Sequence, residues 1–173
     1  MFTEPLALLS DCHRRIEHFL SVLIAIAEER QGGTLDSSRR TQLEAAIAYF
    51  ATAAPRHTAD EEESLFPRLR ASCDPQAMGA LALVERLEAD HAEAARSHDV
   101  VDGLVRNWIA DAVLSPANVR LLLNELTRLA ALYAAHIQLE DRELFPAAAR
   151  LLSAGAINDI GREMAERRSL LFP

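Results

Sequence analysis

Apolar residues recur along this chain at intervals of three and four, the spacing of one face of an α-helix. Leu6, Leu9, Ile16, Leu20, Leu23 and Ile26 form the first such stripe. Thr3 is placed to cap it, Pro5 is tolerated in its first turn, and Gln31-Gly32-Gly33 ends it near Arg30. A second stripe runs through Leu43, Ile47 and Phe50, with Asp36, Ser37 and Ser38 as candidate caps. Pro55 and Pro67 fall inside that stretch, and each is expected to bend or break the helix by removing a backbone hydrogen bond. Asp74-Pro75 opens a third helix, which carries Leu81, Val84 and Leu87 on one side and runs to about Ala110. Ser115-Pro116 opens a fourth, strongly apolar through Leu121, Leu122, Leu126, Leu129 and Leu132. After Gly155 a short fifth helix is expected from roughly Ile157 to Arg168, to cover a bundle end or to contact a partner. No period-two alternation is long enough to predict a strand, so the fold class is all-α.

Composition agrees with that pattern. Half of the 173 residues are hydrophobic and only 5% are aromatic, which suits helices packed through Ala and Leu. The length fits one domain over residues 1–173, with a bundle core of about 6–150 and an extra helix of about 156–168. The formal net charge is −8 and every basic residue is Arg. Without a basic cluster, nucleic acid is not an expected partner. The doublets Arg14-Arg15, Arg39-Arg40 and Arg167-Arg168 are read as solvated helix faces. No apolar run approaches the roughly 20 residues that cross a bilayer, and Met1-Phe2-Thr3-Glu4-Pro5 lacks the positive start of a signal peptide. With two cysteines, Cys12 and Cys73, the expectation is a soluble cytoplasmic protein without a disulfide framework or a membrane partner. No heptad seam argues for a dimer.

The chemistry lies in a repeat. His57 to Pro67 and His136 to Pro146 both read His, three residues, Glu, three residues, Leu-Phe-Pro. Upstream, His13 precedes His57 by 44 positions and His91 precedes His136 by 45. An internal repeat sets architecture, and this one predicts two helical hairpins facing each other across a shared site. Positions i and i+4 stand about 6 Å apart along one helix face, so each copy projects an imidazole and a carboxylate together.

Six side chains then converge: His13, His57, Glu61, His91, His136 and Glu140. That is too many ligands for one zinc, which usually takes four. It suits two six-coordinate first-row ions bridged by the carboxylates, with iron first and manganese next, although zinc, manganese or nickel also fit such a site in a purified sample. A bridging oxo or hydroxo group leaves one open position per ion, where O2, NO, peroxide or water can bind. Four core histidines with two surface acids is the plainer alternative, but burying these groups without a metal is costly. No nucleophile constellation or phosphate loop competes.

From His13 to Pro146 the pattern resembles the hemerythrin-like (HHE cation-binding) domain family. The resemblance implies an up-down-up-down four-helix bundle with a non-haem di-iron centre. It implies that His13 and His57 hold one iron, that His91 and His136 hold the other, and that Glu61 and Glu140 bridge. One departure stands out. Oxygen-carrying members place a fifth His one turn after the third, and here that position is Ala95. The two irons are then expected to be nearly equivalent. Simple O2 carriage gives way to sensing of O2, NO or iron, redox stress response, or iron supply. The rivals are a di-iron enzyme that reduces NO or peroxide and a purely structural metal site.

Other residues carry alternatives. Glu17, one turn after His13, is a candidate seventh ligand or an acid bound to metal-held solvent, against a solvated acid paired with an Arg. Tyr133 is a candidate donor to a bridging ligand, against simple packing. Glu62 and Asp141 are second-sphere candidates or solvent-facing acids. His98 is read as a core histidine with a hydrogen-bond partner, His18 as a surface residue, Cys12 as a small buried one, and Leu171-Phe172-Pro173 as a coincidence.

Overall fold

The computed structural model of the protein describes residues 4–72 and 78–169. Thr3, Cys73, Asp74-Pro75 and Leu171-Phe172-Pro173 lie outside the described residues. The elements are α1 (Pro5–Arg30), α2 (Ser37–Asp60), a π-helical turn (Glu61–Leu65), α3 (Phe66–Ala71), α4 (Met78–Asp111), α5 (Pro116–Leu139), a second π-helical turn (Glu140–Leu144), α6 (Phe145–Leu151) and α7 (Ala154–Ser169). None of the described residues is in a strand, and none of their helices is long and apolar enough to cross a membrane. The all-α bundle expected from the periodicity is the fold observed.

Caps fix the helix starts. The Asp36 side chain accepts from the Arg39 amide at 2.9 Å, and Ser115 Oγ accepts from the Asn118 amide at 3.3 Å. Neighbouring helices pack α1 on α2, α2 on α4, α4 on α5 and α5 on α1, so the four long helices alternate in direction around a ring. The two hairpin loops meet at one end. Gly32 there has φ +78°, and a Cβ on it would sit 2.5 Å from Val119 Cγ2 and 2.6 Å from the Leu114 carbonyl. The Leu114 amide donates to the Gly32 carbonyl at 2.8 Å, and Trp108 Nε1 donates to the Gly33 carbonyl at 2.9 Å. Any side chain at Gly32 would push the loops apart.

Two apolar clusters fill the bundle. One, nearer the loops, contains Ile16, Leu23, Leu43, Trp108, Leu122 and Leu129. The other contains Leu9, Leu65, Phe66, Leu87, Leu144 and Phe145, together with Ile160 and Met164 of α7. The fifth helix therefore covers the bundle end opposite the hairpin loops. The buried polar groups lie between the clusters: His13 stands between Leu9 and Ile16 along α1, and His136 between Leu129 and Leu144 in the second hairpin.

The prolines act unequally. Pro67 follows the first π turn, in which the Phe66 amide reaches back five residues to the Glu61 carbonyl; Pro146 follows the second, with Phe145 donating to Glu140. Each turn opens the helix where a proline next fails to donate. Of the bend or break expected at Pro55, the break does not occur. Pro55 is exposed and lies inside α2, which continues to Asp60.

Candidate metal centre

Helix α1 brings His13 to the centre, α2 brings His57, α4 brings His91 and α5 brings His136, while Glu61 and Glu140 open the two π turns. Glu61 and Glu140 are fully buried, as is His13, and His57 and His136 are nearly so. Potential ligand atoms of His13, His57, Glu61 and Glu140 all lie within 4.8 Å of one another, and so do those of Glu61, His91, His136 and Glu140. These are two four-residue groups that share both carboxylates.

The carboxylates reach across the hairpins. Glu61 Oε1 is 3.4 Å from His57 Nε2 and Oε2 is 3.3 Å from His91 Nε2, so its oxygens face one imidazole of each hairpin. Glu140 Oε2 lies 3.0 Å from His13 Nε2 and 3.2 Å from His136 Nε2, again one from each. These approaches are close but do not have hydrogen-bond angles. His13 Nε2, His91 Nε2 and all four oxygens of Glu61 and Glu140 are buried without a hydrogen-bond partner. Buried polar atoms are normally satisfied, and leaving six such atoms unmet in one place is very costly. Imidazole nitrogens and carboxylate oxygens converging in this way are the donor set of a first-row transition ion. The residues present therefore fit a cation at each group.

The electrostatics agree. Burial, and then Glu140, push the Glu61 carboxyl well above its ordinary range. Burial also acts on Glu140, but His13 and His136 hold it below that range. Burial and then the neighbouring His13 pull His57 down to about 3. Burial works against charge on His13 too, yet Glu140 and Glu61 leave it raised. Two carboxylates this close do not both ionise comfortably without positive charge between them.

A surrounding layer orients the imidazoles. His13 Nδ1 donates to Asp141 Oδ1 at 3.0 Å, and His91 Nδ1 donates to Glu62 Oε1 at 2.8 Å. Asp141 is itself held by Ser10 Oγ at 2.7 Å and by Arg14 at 3.0 Å. His136 Nδ1 is 3.4 Å from Asp90 Oδ2, whereas His57 Nδ1 has no hydrogen-bond partner. Phe145 stacks on His13 at 5.6 Å between centroids, and Phe66 on His91 at 6.1 Å. Each motif thus supports the first histidine of the other hairpin, with the acid after its Glu and the Phe of its Leu-Phe-Pro. Reading the sequence left Glu62 and Asp141 open and passed over Asp90, Phe66 and Phe145; the signal of the two acids and the two phenylalanines was their matched position after the two glutamates, whereas Asp90, with Cys12 as its counterpart, had none.

Two open alternatives are decided by geometry. Glu17 is half exposed and pairs with Arg14 at 3.3 Å, outside both groups. The buried line of α1 runs through His13, Ile16, Leu20 and Leu23, so position 17 falls on its solvent flank. Tyr133 does not meet the six residues through its hydroxyl, which lies 2.9 Å from His98 Nε2. Burial raises the Tyr133 phenol, and burial pulls His98 down to about 4, so the phenol donates to a neutral imidazole. His98 also stacks on Phe50 at 4.2 Å.

The doublet Arg167-Arg168 is likewise no solvated face. Arg167 donates to Asp60 Oδ1 at 3.0 Å and Arg168 to Asp60 Oδ2 at 2.7 Å, and Asp60 is fully buried next to Glu61. Arg167 also donates to Ser64 Oγ at 2.9 Å, and Arg68 pairs with Glu163 at 2.7 Å. Thus α7 grips the first π turn by charge as well as by its apolar face.

The family model of the hemerythrin HHE cation binding domain matches residues 4–148, which span the bundle and every residue of the two groups. The chain belongs to the hemerythrin HHE cation-binding domain family, and it is a cation-binding protein of that class. It is similar to an uncharacterized protein of Haemophilus influenzae, 26% identical over 98% of this chain and 92% of that relative. Helix α7 lies beyond the matched residues.

Proposed function

We propose that the chain is a non-haem di-iron protein that binds or senses a small diatomic ligand, O2 or NO, or responds to iron or redox stress. His13 and His57 hold one ion, His91 and His136 the other, and Glu61 and Glu140 span both. The observation that carries this reading is the sharing of both carboxylates between two four-residue groups whose buried donor atoms have no other partner. Four imidazoles and two carboxylates suit iron, and Ala95, where oxygen carriers place a fifth His, leaves a symmetric set of two His per ion. Iron held there supplies open coordination positions and a one-electron couple at each ion. The protein's own part is to keep the imidazoles aimed through Asp141, Glu62 and Asp90, and to keep bulk water from the carboxylates.

Metal content per chain, measured on anaerobically purified protein with optical spectra before and after air, tests the proposal. Two irons per chain with ferric bands growing in air are expected. One tightly held zinc, or no iron after reconstitution, overturns it in favour of a structural site. Reversible spectral change with O2 or NO supports binding or sensing, whereas repeated turnover of NO or peroxide with a reductant would replace that reading with an enzyme.

A further inference from the structure

A cavity of about 460 Å³ extends from the four histidines along the bundle. It is roughly fifteen times the ~30 Å³ that a water takes in the liquid, and it falls within the ~300–1,000 Å³ of small-molecule sites. A diatomic ligand needs far less. The wall lining residues Ala51 and Pro55 of α2 and Ala95 and Asp99 of α4 are exposed, so the cavity reaches solvent between these two helices. Small residues on both lips leave this side uncovered. Ala95 contributes doubly: it offers no imidazole to the metal groups and no bulk to the opening.

Further in, the wall is apolar. Ile16, Leu23, Ile47 and Val101 are buried along it, with Phe50 beside them. His98 and Tyr133 also line it, but they spend their polarity on each other at 2.9 Å. Charge is confined to Asp99, Asp102 and Arg106, and Arg106 donates to Asp102 at 2.7 Å. The single guanidinium of the lining is thereby neutralised and the balance at the opening is acidic, which disfavours an anion. Small-molecule sites are concave and lined mostly by apolar side chains with a few polar groups, and this slot has that character.

We infer that the slot between α2 and α4 binds an uncharged, largely apolar organic molecule and holds it against the histidine cluster. The inference rests on the proposed metal function only for what the bound molecule meets at the inner end. Binding itself needs the slot alone.

N-phenyl-1-naphthylamine, an uncharged apolar fluorophore, is the probe. It is titrated into the full chain, metal-free and metal-loaded, with metal content measured on the same samples. Saturable one-to-one binding is expected, with at least a tenfold loss of affinity in Ala51→Phe/Ala95→Phe, which closes both exposed lips. Ala51→Ser/Ala95→Ser keeps the lips small and should bind as the parent does, and helicity and melting temperature of both variants should match the parent. No saturable binding, or binding indifferent to the Phe pair, overturns the inference even if two metal ions are present. Lip-dependent binding by a chain that takes up no metal leaves the slot standing and removes the metal reading.

Discussion

The two motif ends of the bundle look alike at the ligands and differ in what holds them. At both, a π turn begins at the glutamate, the next acid reaches the first histidine of the other hairpin, and the phenylalanine four residues further on stacks on the same ring. The residue before Glu61, however, is Asp60, buried and gripped by Arg167 and Arg168; the residue before Glu140 is Leu139, packed among apolar side chains. The residue before His91 is Asp90, which faces His136, while the corresponding residue before His13 is Cys12, and His57 Nδ1 is left without a partner. Repetition therefore makes the donor set symmetric, but α7, which belongs to neither repeat, makes its support asymmetric. The Glu61 side is tied down by charge from outside and the Glu140 side by packing. The two four-residue groups are alike in donor type and unlike in their surroundings.

The largest effect expected concerns what the two sides share. Because each carboxylate joins both groups, Glu61→Ala and Glu140→Ala should each lower metal content from two ions toward none, read by elemental analysis. Retention of one full ion in either variant would show that the carboxylate serves one side only. Next comes the clamp. Asp60→Leu copies the residue found before Glu140 and removes the carboxylate that both arginines share. It should cost about 2–3 kcal/mol in denaturant unfolding, less than the ~3–5 kcal/mol of a fully buried pair because the arginines keep some solvent. Leu139→Ala, at a half-buried apolar position, should cost about 1 kcal/mol, and equal losses from both changes would remove the asymmetry.

Smaller effects follow at the supporting acids. Glu62→Ala and Asp141→Ala should each weaken metal binding about 10- to 100-fold, read by competition with a chelator. Cys12→Ala, on the side where His57 has no such support, should leave affinity unchanged. The smallest is a pH effect away from the metal groups. His98, at about 4 in the folded chain against 6.5 when unfolded, is neutral when buried. The unfolded chain then binds the extra proton between these values, so stability contributed by the neutral ring is present above about 6.5 and is lost as pH falls toward 4. Allowing for its partial exposure, about 1–2 kcal/mol should disappear across that window in metal-free protein, and His98→Phe should flatten the profile.

How much of this was legible depended on distance along the chain. The His-x3-Glu spacing is local, and a helix converts it directly into two groups on one face. Four helices and the fifth were legible for the same reason, and their observed bounds fall within a few residues of the periodic stripes. Glu17 stayed open because one turn's offset along a helix does not by itself give a shared orientation. The inward line of α1 is decided by α2 and α5, which pack against it, and that line passes through Ile16. The π turns were hidden because Leu-Phe-Pro marks a proline without saying whether the helix stops, bends or widens. Pro55 and Pro67 have the same lost donor and different outcomes.

By itself, the sequence determined the donor chemistry, because which atoms can bind a cation is a property of residue types and of spacing within single helices. It also determined the doubling of the site, because the repeat is written in the chain. The tertiary structure alone decided how the donors meet. Each glutamate faces a histidine from both hairpins, each motif steadies the opposite hairpin's ring, and Arg167 and Arg168 cross more than a hundred positions to reach Asp60. Those partners are selected by how amphipathic faces pack once the bundle closes, and no interval along the chain encodes that choice.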